Sequence, residues 1–119
     1  MVLVKLNVLK ESGVIDGEIY DYALAVFERI KAQDFYDVEN NRIETFLIHL
    51  AMATARQKAR EGIDPLDESI VDEIYLDEDF SRAKELWQDF EAMAPVKFSQ
   101  AETDCFYLHL CNMLKKEES

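Results

Sequence analysis

An all-α fold, a compact bundle of about five helices, is what this sequence predicts, and three observations carry the expectation. Only three Gly and two Pro interrupt 119 residues, so the chain has few places to turn sharply. Apolar residues recur three and four apart along most of its length, the spacing of one helix face. Capping signals stand at the heads of those runs: Asp16, Asp64-Pro65 and Ser99-Gln100-Ala101-Glu102. The length suits one domain over 1–119, with 1–14 as an N-terminal arm and 117–119 as an acidic tail. Hydrophobic residues make up 49% of the chain, enough to bury about two thirds of the unfolded surface.

The opening MVLVKLNVL alternates weakly and reads as a short strand or a frayed arm. The first helix begins near Asp16, carries Ile19, Ala23, Val26 and Ile30 on one face, and ends about Gln33. The second and longest runs from about Asp37 to Arg60, with Ile43, Phe46, Leu47, Leu50 and Thr54 inward and Gly62 at the left-handed position that closes a helix. Asp64 as N-cap and Pro65 at the first helical position open a third helix over 66–74. A fourth, over about 77–93, sets Phe80, Ala83, Trp87, Phe90 and Ala94 in a stripe that Pro95 stops. Ser99 and Glu102 form a capping box for the fifth, which extends to about Lys116.

A net charge of −12 and no basic run argue against nucleic acid, because phosphate contacts require clustered Lys and Arg. No apolar run approaches the ~20 residues of a membrane span, and no signal-peptide core follows Met1. The expected location is therefore the cytoplasm. Cys105 and Cys111, six apart on one helix, lie about 9 Å from each other, too far for a disulfide.

The chain's two histidines occupy matching pentapeptides, FLIHL at 46–50 and FYLHL at 106–110. Helical spacing surrounds His49 with Arg42, Thr45, Met52, Ala53 and Arg56, and His109 with Glu102, Cys105, Asn112 and Lys116. Each imidazole falls at the border of an apolar face. Arg42, Arg56 and Arg60 on the His49 side gather positive charge that could hold an anion. The plain alternatives are that both histidines are packed or solvated residues, that the arginines make ordinary helix ion pairs such as Arg42 with Glu39, and that Glu102 only completes the cap of Ser99. No His-x-x-x-His, Glu-x-x-His or Cys-x-x-Cys spacing supplies a metal site. No Gly-rich phosphate loop occurs, and Cys105 four residues before His109 lacks the further groups a nucleophile requires. No cofactor and no catalytic residue is expected.

The spacing around the histidines resembles the PTS regulation domain family, the helical domains through which the bacterial phosphoenolpyruvate:sugar phosphotransferase system controls antiterminators and activators. In that family a first phosphorylatable His is followed by small residues, by Arg seven positions on and then by Gly, matching His49, Arg56 and Gly62. A second His about sixty residues later has Glu seven before it and Asn three after, matching Glu102, His109 and Asn112. The likeness spans about 15–116 and agrees with five helices. It implies a stand-alone domain that accepts phosphoryl groups on His49 and His109 from HPr or a IIB component. Arg56, Asn112, Arg42 and Lys116 would stabilise the phosphate, a homodimer would form, and the signal would serve transcriptional control of carbohydrate use. DNA or RNA binding is not implied, since the family's nucleic-acid-binding domains have no counterpart here. The competing expectation is a helical interaction module, unphosphorylated, that partners a metabolic enzyme or regulator.

Overall fold

The computed structural model describes residues 2–33 and 40–115. Among them the chain forms α1 (Val2–Glu11), α2 (Gly17–Ala32), α3 (Asn40–Lys58), α4 (Glu68–Leu76), α5 (Phe80–Ala92) and α6 (Gln100–Leu114). The fold is all-helical, with six helices where about five were expected. The extra one is α1, in place of an arm or strand. Its alternation was the ambiguous signal of a short apolar run, and packing resolves it: Leu6 is fully buried, and α1 lies against α3 and α2.

Local chemistry sets most boundaries. The Asp16 carboxylate accepts from the Ile19 N–H at 2.8 Å, capping α2. Its outer oxygen meets Lys58 Nζ at 2.9 Å, tying the start of α2 to the end of α3 and holding the Asp16 carboxyl below its usual range. The left-handed residue after α3 is Arg60, at φ 60°, and not Gly62. Helix α4 starts at Glu68 with Asp67 as its cap, later than expected from Asp64-Pro65. The extended backbone of a residue before proline suits a cap as well, but the later Asp67 offers an equivalent one, and its carboxylate accepts from the Ser69 N–H at 3.2 Å. Residues 77–79 form a turn, with Asp77 Oδ1 accepting from the Asp79 N–H at 2.8 Å, so α5 begins at Phe80 rather than at 77.

The core takes one face of each long helix. Ile19, Ala23, Val26 and Ile30 of α2 and Ile43, Phe46, Leu47 and Leu50 of α3 are all buried, as the periodicity predicts. Trp87 of α5 stacks on Phe106 of α6 at 4.3 Å, and Phe98 closes against both. The Tyr22 hydroxyl donates to the Phe90 carbonyl at 2.9 Å, fastening α2 to α5. With α5 against one flank of α6, the other flank is left to α3, and the histidines meet there.

Candidate functional site: a histidine pair on the α3–α6 seam

Three contacts along the seam define its register. Arg42 of α3 meets the last carbonyls of α6, His49 meets His109, and Arg56 meets Glu102. Position numbers rise on one helix as they fall on the other, so α3 and α6 run antiparallel. The α3 members are seven apart, two turns of helix, and therefore share one face. The echo of FLIHL and FYLHL thus places each histidine at a middle layer, one helix turn from a Phe and next to a Leu buried in the core. Phe46 and Phe106 contact edge to face at 6.3 Å, and Leu50 and Leu110 are fully buried.

The imidazoles of His49 and His109 stack with centroids 4.1 Å apart and planes 16° from parallel. His49 is exposed and His109 half-buried. Desolvation, then the positive charge of Arg56, lowers the His49 pKa below its ordinary value. Burial, with the neighbouring His49, pushes His109 down to about 4. Both rings are therefore neutral at pH 7, each with a nitrogen lone pair to donate.

Arg56 grips Glu102 in a bidentate pair, Nε to Oε2 and Nη2 to Oε1, each at 3.0 Å. The Glu102 side chain is 1% exposed and that of Arg56 32%. Helical side chains lean toward the N-terminus of their helix, so Arg56 reaches back toward His49, consistent with its effect on that ring. The Glu102 carboxylate therefore does not complete a capping box. Ser99 Oγ does accept from the Glu102 N–H at 3.2 Å, but the carboxylate is spent on Arg56. Both residues stand out in the sequence, but local spacing does not pair them, because they lie 46 residues apart.

At the other end of the seam, the Arg42 guanidinium donates to the carbonyl oxygens of Asn112, at 3.2 Å, and Lys115. It closes the negative end of α6. A cavity of about 340 Å³ opens beside it, lined by Arg42, Thr45, Phe46, His109 and Asn112. Of the expected phosphate-stabilising residues, Arg56 lies at His49, and Arg42 and Asn112 share the His109 cavity; Lys116 lies outside the described residues, as does Glu39. Its neighbour Lys115 is held by Asp77 at 2.7 Å and Asp79 at 3.1 Å. Arg60 follows the end of α3 and does not extend its arginine stripe.

Other chemistry has little footing. Among the described residues no group of three or more His, Cys, Asp or Glu converges as a metal site would require. Cys105 is half-buried and its thiol is pushed up by burial, then by Glu102, opposite to what an activated nucleophile needs. No helix of the described residues is long and apolar enough to cross a membrane. No family model matches the chain, and no curated protein or solved structure gives a significant match.

Proposed function

We propose that this chain is a regulatory domain of the PTS-regulation type, which accepts a phosphoryl group on His49 or His109 and signals through the packing of α3 against α6. The observation that carries this reading is the stacked imidazole pair at the protein's edge, with Arg56 beside it. The donor would be a phosphohistidine of HPr or of a IIB component in the cytoplasm. The signal would pass through a homodimer to a transcriptional regulator of carbohydrate use. In this reading the chain is an acceptor and switch, and it turns over no substrate.

The chemistry asks little of the protein. A neutral imidazole nitrogen attacks phosphorus as the donor's phosphorus–nitrogen bond breaks, and the donor imidazole leaves with the electron pair. Such an exchange depends on positioning and charge neutralisation. Arg56 is fixed by Glu102 through Nε and Nη2, which leaves Nη1 as the nitrogen for a phosphate oxygen; guanidinium suits that task. The added group carries a charge of about −1.5 to −2. It competes with Glu102 for Arg56, and withdrawing Arg56 would strand a buried carboxylate. A local charge change thereby biases the seam between two arrangements.

The test is the intact mass at alkaline pH after incubation with phosphoenolpyruvate, the first enzyme of the phosphotransferase system and HPr. Addition of a phosphoryl group that maps to His49 or His109 supports the reading, and an unmodified protein overturns it. A second reading, an unphosphorylated interaction module, is favoured by apolar side chains left at the surface: Val4 and Val8 on α1 and Leu76 on α4. In that case His49→Ala and His109→Ala change stability or partner affinity alone.

A further inference from the structure

Resting on that phosphoryl-acceptor reading, we infer that the two histidines work as a single acceptor: while their rings are stacked, a phosphoryl group on either one bars a second. Two separate acceptors would count phosphoryl groups as zero, one or two. The stack converts them into a switch with two states.

Geometry makes the argument. A phosphoryl group on a ring nitrogen is tetrahedral, so its oxygens project above and below the ring plane. At a centroid separation of 4.1 Å and 16° between planes, one of those sides is occupied by the partner ring. One group is accommodated at the exposed edge of His49. A second forces the rings apart.

Charge adds to the steric conflict. Two groups of about −1.5 to −2 charge would stand within a few ångströms of each other, inside the ~8–10 Å over which salt screens. The guanidinium beside the pair is Arg56, and its charge is already matched by the buried Glu102 carboxylate. Arg42 at the far end is engaged by the α6 carbonyls. The surrounding chain carries a net charge of −12. Even in water, unit charges about 4 Å apart repel by about a factor of five in equilibrium, and these groups carry more than unit charge, which takes the penalty past about tenfold. Burial, and to a lesser degree the charge of a protonated His49, already hold His109 down to about 4, so the pair also disfavours a second proton.

Exposure also sets the order of addition. His49 is exposed and His109 half-buried, so His49 takes the group first and His109 then stays empty.

Potassium phosphoramidate tests this without any protein donor. The imidazole lone pair forms a phosphorus–nitrogen bond as that of phosphoramidate breaks and ammonia leaves. Intact mass would give the fractions carrying zero, one and two groups in the native protein, in His49→Ala and in His109→Ala. The expected result is a doubly modified fraction at least about tenfold below the product of the two single-site occupancies. In urea, where the stack is lost, the native sequence should reach that product. A folded protein whose doubly modified fraction equals the product overturns the inference, and so does an equal shortfall in urea. Failure of the phosphotransferase components to modify a protein that phosphoramidate modifies once would sink the acceptor reading and leave the exclusion standing.

Discussion

The two flanks of α6 are built on opposite principles. Toward α5 it presents Phe106 to Trp87 and Phe98, an aromatic layer of ring contacts between 4.3 and 5.4 Å. Toward α3 it presents Glu102 and His109 to Arg56 and His49. The aromatic flank removes apolar surface from water, which is the main driving force of folding. The polar flank gains little, because a buried ion pair only offsets the desolvation of its own charges, and both histidines are held below their ordinary pKa. A well-packed apolar seam would serve stability at least as well. The polar one therefore fits a task that needs neutral, reachable imidazoles beside a fixed cation.

The largest effect should come from the apolar side. Phe90 is fully buried and contacts Phe46 at 5.9 Å, so Phe90→Ala is expected to cost about 3–5 kcal/mol in urea unfolding. A cost near 1 kcal/mol would mean that the buried apolar face of α5 is not what holds the bundle.

Next comes an asymmetry within the ion pair. Arg56→Ala leaves a carboxylate that is 1% exposed with no guanidinium, whereas Glu102→Gln leaves a side chain that is 32% exposed and still has an oxygen to donate to. Losses of about 3 and about 1 kcal/mol are expected respectively. Equal losses would show that the two charges are equally solvated.

Acid should weaken the seam at mild pH. His109 has an ordinary value of 6.5 and a folded value of about 4, so between those limits the unfolded chain binds more protons than the folded one. Its contribution is present above pH 6.5 and disappears as the pH falls to 4. The full difference corresponds to about 3 kcal/mol; because the ring is only half-buried, solvent screening lowers the expected loss to about 2 kcal/mol, measured by thermal or urea unfolding across that range. His109→Gln should flatten the curve. The Asp77 carboxyl, held below 3.8 mainly by Lys115, acts only at lower pH.

The smallest effect lies outside the comparison and calibrates it. Arg60 sits at φ 60°, a conformation that costs a residue with a side chain about 1 kcal/mol relative to glycine. Arg60→Gly should raise stability by roughly that amount and leave the histidine titrations unchanged.

Sequence periodicity was enough for what one helix decides alone. The buried stripes of α2, α3 and α5, the Asp16 cap and the Ser99 hydroxyl cap all follow from neighbours within one or two turns. What it missed depends on other helices. The α1 segment has no clear period of its own, and Leu6 shows its role only against α3. Asp64 and Asp67 offer equivalent caps, and local rules do not rank them. The site followed the same division. The borders at His49 and His109 and the Arg56 and Asn112 neighbours were legible, since they come from helical spacing. The stacking of the rings and the use of Glu102 by Arg56 depend on the register between α3 and α6, which no local pattern states. The repeated pentapeptide was the one available hint of the pairing.

The central claim is that His49 and His109 form one coupled site, and imidazole ¹⁵N NMR from pH 8 to 3 measures this directly. In the native protein His109 should titrate near 4, held down by burial and then by His49, and in His49→Ala, which removes the neighbouring ring and its charge, it should move up. A His109 that titrates at the same pH in both proteins, close to the ordinary value, would show that the rings do not share a site and would contradict the account.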